Sequence, residues 1–398
     1  MTSRAGARPG RLVFVTARYP PFIGGTEVHT AEVAKRLVAA GGDVVVLTTD
    51  TTAEIPRDAV VDGVPVRIIP AWPEGSDFYL TRHLESELRA LDPALVHVQG
   101  YHTLLGPMAM RAARRIGVPY VVTFHSGGHR SRLRNLLRPV HQRALTPLFL
   151  RASALIAVSD FEAQLFARRT RVPRHQILTI PSGAELRAVP APARSADPSE
   201  RTIITSLGRL ERYKGHHQVI RALPHLLARR PDTELRLLGT GSYEGRLRRL
   251  VRSLGVEDHV EFLQVATSDR DELSGLLAES SLITLLSRYE SQGLAAFEAL
   301  SLGIPIMVLE TTALAELTQA GLAAAVPPHT QPWVLASLID RQLGAPEIAT
   351  ETAPPGWEQT VRRLREVYEE RGGVRVGDDV DPDTTQLRVV SDEAREAD

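Results

Sequence analysis

Two successive series, in which short apolar stretches alternate with helical patterns, limit what this chain can fold into more than any other feature. The first places strands at Arg11–Thr16, Asp43–Thr49, Val64–Ile69, Leu95–Gln99, Tyr120–Phe124, Ala154–Ser159 and Ile177–Ile180. Helical patterns fall between them at Thr26–Ala40, Phe78–Ala90, Leu104–Ile116 and in an Arg-rich stretch before Ala154. The second places strands at Thr202–Leu207, Glu234–Leu238, Val260–Leu263, Leu282–Leu286 and Pro305–Leu309, with helices from Gly215, Ser242, Arg270, Gly293, Ala313 and Pro332. Such alternation predicts parallel strands joined by crossover helices, hence an α/β chain of two doubly wound, Rossmann-like domains facing across a cleft. The expected division is 1–183, a Pro/Ala/Ser-rich linker over 184–201, 202–350, a helical segment over 351–371 and a disordered acidic tail over 372–398.

A chain of 398 residues is long enough for two cores. Its 47 basic and 47 acidic residues cancel, so there is no overall pull toward nucleic acid or anionic surfaces. The absence of cysteine removes disulfides and thiolate metal sites, which fits a reducing, cytoplasmic setting. The basic start leads into an apolar run too short for a signal peptide, and no stretch is long enough to span a bilayer. Lys35 and Lys214 are the only lysines in an otherwise Arg-based chain.

The most informative stretch follows the strand Leu282–Leu286. A polar loop carries Glu290 and Ser291, and a helix opens at Gly293 and Leu294 and carries Glu298. Ligands of open parallel sheets bind beyond the carboxyl ends of the strands, and the N–H groups of a helix start favour an anion. Glu298 lies five residues along that helix, on the order of 7 Å at 1.5 Å per residue. A diphosphate at the helix tip would then have a carboxylate on each side, one for sugar hydroxyls and one for a ribose. Two acids also fit a glycosidase pair, or two ordinary surface glutamates.

ESQGLAAFE, from Glu290 to Glu298, resembles the E-x7-E motif of glycosyltransferase family 4, the retaining, nucleotide-sugar-dependent enzymes of the GT-B fold. GRLERYKG, with Gly208, Arg209, Lys214 and Gly215, is similar to that family's G-R-L…K-G segment. YPPFIGGTEVHT, with Gly24 and Gly25, resembles its acceptor-side glycine loop. TFHS at Thr123–Ser126 resembles the segment bearing its cleft histidine, here His125. The late helix beginning GWE resembles the segment that crosses back to the first domain. The resemblance spans nearly all of the chain up to Arg371.

The resemblance implies a first domain that takes the acceptor and a second that takes the donor. Arg209 and Lys214 would hold the diphosphate with the helix tip, Glu290 the sugar hydroxyls, Glu298 the ribose, and His125 the sugar or reacting centre. Gly208, Ser291, Gly24 and Gly25 would line the donor. The residue chemistry agrees: a departing nucleotide diphosphate must be neutralised by a metal or by fixed cations. Two D-x-D pairs, Asp269–Asp271 and Asp381–Asp383, read as a helix cap and solvated charge. No metal or cofactor is therefore expected beyond the nucleotide-sugar co-substrate. Gly239-Thr240-Gly241 lacks the third glycine of a dinucleotide fingerprint.

The chain departs from the family pattern at Leu286, where proline is usual, and at Gln292, where a hydrophobic residue is usual. PSGAE at Pro181–Glu185 replaces P-N-G-V-D, and ETTALAE at Glu310–Glu316 lacks the usual pair of glycines. An inactive nucleotide-binding homologue and a sugar-nucleotide epimerase remain as alternatives. His129–Arg143 interleaves Arg with Leu133, Leu136, Leu137 and Val140. It reads either as an exposed Arg-rich helix or as a peripheral contact with the inner face of a membrane, where a lipid acceptor would lie.

Overall fold

The computed structural model describes residues 7–22, 24–51, 57–73, 79–125, 132–186, 201–265, 269–345 and 355–377, with the backbone alone for 132–138. The first sheet has eight strands in the spatial order Asp58–Val61, Val64–Pro70, Val44–Asp50, Leu12–Thr16, Leu95–Gln99, Tyr120–Thr123, Ala154–Ala157, Ile177–Thr179. All neighbours are parallel except the first pair. The second sheet is wholly parallel, in the order Val260–Leu263, Thr233–Leu238, Thr202–Leu207, Leu282–Leu285, Ile306–Leu309, Ala324–Val326. Helices cover both faces, so the central strands LVFVT and VVVLTTD are buried throughout and open on the continuous apolar runs LVFV and VVVL.

Strand order reverses between Leu12–Thr16 and Leu95–Gln99 in the first sheet and between Thr202–Leu207 and Leu282–Leu285 in the second. A crevice opens at such a reversal because the connections on either side leave in opposite directions. The loops after Leu207 and Leu285 therefore meet.

The last helix, Trp357–Gly372, belongs to the first domain's core. Trp357, Val361, Leu364, Val367 and Tyr368 share an apolar cluster with Leu12, Val33 and Leu37. The Tyr368 hydroxyl lies 2.8 Å from His97 Nδ1 and Thr123 Oγ1 lies 2.8 Å from His97 Nε2, so a fully buried imidazole has both nitrogens satisfied. Tyr368→Phe leaves Nδ1 without that partner and is expected to lower the unfolding free energy by about 1–3 kcal/mol, read from urea denaturation.

Several expectations need correction. The tail is ordered beyond Gly372: Val374–Arg375 pairs in parallel with Arg8–Pro9, and Val376 is buried. The alternation Val-Arg-Val is a half-buried strand pattern that the acidic composition conceals. The expected linker likewise begins packed, with Ala184 and Leu186 buried and Ala184 N donating to Pro355 O at 3.0 Å. Residues 187–200 and 378–398 lie outside the described residues.

The helix expected over Phe78–Ala90 runs Leu84–Leu91, because Trp72 and Leu80 form an antiparallel bridge before it. Helix Asp160–Thr170 and the strands Asp58–Val61 and Ala324–Val326 are additional. That helix carries an S-x-x-E signature: Ser159 Oγ accepts from Glu162 N at 3.1 Å, while the Glu162 carboxylate accepts from Val158 N at 2.9 Å. Among the described residues no helix is long and apolar enough to cross a membrane.

Candidate active site

The loop Gly208–Gly215 reaches its position because three glycines let backbone lie on backbone. A Cβ on Gly239 would stand 2.2 Å from Gly208 O, and one on Gly241 would stand 2.4 Å from Leu210 O. Gly215, at φ +85°, passes so near the adjoining loop that a Cβ would meet Leu286 O at 2.1 Å. Gly239 and Gly241 thus serve close packing of the site loop. His216 anchors the loop from beneath, with Nδ1 2.8 Å from Ser206 Oγ and Nε2 3.1 Å from Arg209 O.

Lys214 is thereby aimed at Glu290, with Nζ 2.5 Å from Oε1 and both side chains about 15% exposed. The sequence assigns these two residues to different parts of one ligand; here they neutralise each other. Glu290 is fixed from its own side, its N–H donating to Thr312 Oγ1 at 3.0 Å. Arg209 donates to the Tyr213 hydroxyl at 2.7 Å. Glu298, almost buried on the helix Leu294–Ser301, accepts from Arg270 Nη2 at 2.7 Å. Gly293 caps that helix at φ +87°, and the carbonyl of Ser291 accepts from Ser159 Oγ of the first domain.

The first domain supplies the opposite wall. Gly24 lies over Glu27, and a Cβ there would fall 2.2 Å from Glu27 Oε2; Gly25 begins the first helix with open space beside it. Glu27 is a residue the sequence reading passed over. Burial pushes its carboxyl up, while its own backbone N–H and the charges of Arg18 and of Arg209 pull it down. Arg18 Nε is 3.5 Å away. Only its place two residues after the glycine pair could have signalled it.

His125 ends its strand at φ +44° and is buried, with Nε2 2.7 Å from Gln99 Oε1. Desolvation, followed by the neighbouring His29 and His97, holds it well below the ordinary histidine range. The elements therefore bring Lys214 and Glu290 into contact, set Arg209 beside Tyr213 and Glu298 beside Arg270, and leave His125 on the facing domain. Among the described residues no three His, Cys, Asp or Glu side chains are grouped to hold a metal ion. Asp269 is a helix cap, its Oδ1 accepting from Glu272 N at 2.8 Å, and Asp381–Asp383 lies outside the described residues. In the Arg-rich segment, a helix spans Arg132–Phe149 with Val140 64% exposed; His129–Ser131 lie outside the described residues, as do the side chains of 132–138.

Two doubly wound domains with a charged cleft at their strand reversals form the architecture of the GT-B fold. Family models agree, those described as Glycosyltransferase Family 4 and Glycosyl transferases group 1 matching residues 23–187 and 191–353. The chain belongs to glycosyltransferase family 4. It is 29% identical to a D-inositol 3-phosphate glycosyltransferase of Nocardiopsis dassonvillei, over 91% of this chain and 95% of the relative. It is 30% identical to a glycogen synthase of Mycobacterium tuberculosis, over 79% and 85%. Among solved structures, a sucrose-phosphate synthase from Thermosynechococcus elongatus superposes with TM-score 0.72 at 20% identity, covering 91% of this chain and 99% of its own. HepE of Anabaena, in complex with UDP and glucose, superposes with TM-score 0.71 at 18% identity, covering 90% and 99%.

Proposed function

We propose that the protein transfers a sugar, with retention and without a metal, from a nucleoside diphosphate sugar to a hydroxyl of a carbohydrate or polyol acceptor. The observation that carries this reading is the Lys214–Glu290 contact at the strand reversal. A bound donor separates the two charges: the ammonium turns to the diphosphate and the carboxylate to sugar hydroxyls. Arg209 adds the second cation, and Glu298, oriented by Arg270, takes the ribose hydroxyls. Gly24 and Gly25 let backbone approach the donor from the facing domain, and His125 meets the sugar.

In the transfer the acceptor oxygen bonds to the anomeric carbon as the bond to the diphosphate breaks, and the acceptor proton passes to the departing phosphate oxygen. No protein base takes part, so the protein's share is positioning and charge. The relatives that act on inositol phosphate favour a polyol acceptor, and HepE makes UDP the first nucleotide to try.

A melting panel of UDP, GDP, dTDP and ADP with their common sugars tests the donor. The matching nucleotide at a hundred times its dissociation constant is expected to stabilise the protein by about 2.7 kcal/mol. No shift with any of them would move the reading to a homologue without donor binding.

A further inference from the structure

Two of the departures from the family pattern touch each other. Ser182 N donates to Gln292 Oε1 at 2.8 Å, and Gln292 Nε2 donates to Ser182 O at 2.7 Å. Gln292 is 6% exposed and Ser182 5%. The side-chain amide thus forms the paired bonds of a strand bridge with the segment that crosses between the domains. A hydrophobic residue at 292 makes neither bond, so one contact accounts for the polar residue there.

The crossing segment is clamped on its other side. A Cβ on Gly183 would lie 2.5 Å from the backbone of Trp357, and Thr360 Oγ1 donates to Pro181 O at 2.9 Å. Ser182 Oγ, in turn, is 2.9 Å from His29 Nδ1, and the His29 ring stands edge-on to His125 at 4.7 Å. Continuous contacts therefore run from the loop holding Glu290, through Gln292, Ser182 and His29, to the histidine of the facing wall. Glu290 and Gln292, two residues apart, are fixed to different domains.

We propose that Gln292 is a positioning residue, holding the donor loop against the interdomain crossing so that Glu290 and His125 keep one spacing across the cleft. The inference rests on the donor site proposed above. Its physical reason is that transfer between two domains is steeply sensitive to their spacing, and a displacement of about 1 Å can cost on the order of a hundredfold in rate.

The chain has no cysteine, so spin labels at Arg114→Cys and Ser253→Cys, both exposed and one in each domain, report interdomain distance without background. In that background Gln292→Met, which keeps the volume and removes both bonds, is expected to broaden or shift the distance distribution while far-ultraviolet dichroism is unchanged. Gln292→Leu likewise removes both bonds and should show the same change, which serves if the Met variant folds poorly. With UDP-glucose as probe, UDP release should drop tenfold or more in Gln292→Met, with the donor KM within about twofold of wild type. A distance distribution superimposable on that of wild type, or undiminished UDP release, overturns the proposal. Failure of the wild type to turn over UDP-glucose counts against the donor reading alone, and the spin-label result still decides the role of Gln292.

Discussion

Acidification from pH 6.5 toward 4 is expected to unfold the protein, with the urea midpoint falling steadily across that window. The cause is a set of imidazoles buried as neutral rings. Desolvation lowers His29 from 6.5 to about 4, and it holds His97 and His125 well below the ordinary value. Charging any one of these three raises the cost of charging its neighbours, because His29 acts on both others. In the second domain His216 and His217 are also lowered to about 4, again mainly by burial.

The sign follows from proton counting. A base whose folded pKa is depressed binds fewer protons folded than unfolded, so its stabilisation is fully present above the unfolded value and is lost as pH falls toward the folded one. At pH 5 a ring such as His29 withdraws about 2 kcal/mol from the native state, and the others act in the same direction. Few proteins hold more than about 15 kcal/mol in reserve. Glu27 and Glu316 run oppositely: their carboxyls are raised by burial, so their contribution is greatest in acid and offsets part of the loss. Urea titrations by circular dichroism at pH 7.5, 6 and 5 check the balance, and an unchanged midpoint would mean that these rings charge freely inside the fold.

The elements legible in the sequence are those where one period dominates. Strands such as Leu12–Thr16 and Val44–Asp50, buried on both faces, announce themselves as apolar runs, and Gly293 at the start of the helix bearing Glu298 marks a boundary through its left-handed backbone. Elements whose stability comes from tertiary contact were not legible. Val374–Arg375 is a strand only because Arg8–Pro9 lies beside it, and Ser182, Ala184 and Leu186 stand in a stretch with the composition of a linker yet are buried.

The same distinction holds in the cleft. Spacing placed Glu290 and Glu298 at a strand end and on a helix, and lysine scarcity singled out Lys214. Spacing could not reveal that Lys214 and Glu290 touch, since 76 residues separate them, or that Gln292 reaches Ser182 across 110. Glu27 and His29 draw their character from burial beneath the glycine loop, which no local pattern encodes.

Replacing Lys214 by alanine is expected to reduce turnover about a hundredfold, corresponding to roughly 3 kcal/mol of transition-state stabilisation from one fixed cation in a water-poor site. The proposed reaction concentrates negative charge on the departing diphosphate, and Lys214 is half-buried, its stem laid against Gly208 with Cδ 3.7 Å from where a Cβ would stand. Arginine at 214 should restore little, because a planar fork does not fit the place of a compact ammonium. The variant also leaves Glu290 facing the diphosphate without its counter-charge, so nucleotide affinity should fall together with turnover.

Glu290→Gln separates these effects. It removes the competing carboxylate while keeping Lys214, so nucleotide binding should tighten or hold as turnover drops through lost sugar contacts. Steady-state kinetics and nucleotide titration of both variants, with dichroism to verify folding, give the comparison. Full turnover with undiminished nucleotide affinity in Lys214→Ala would take Lys214 out of the diphosphate site and leave its contact with Glu290 as a brace between two loops.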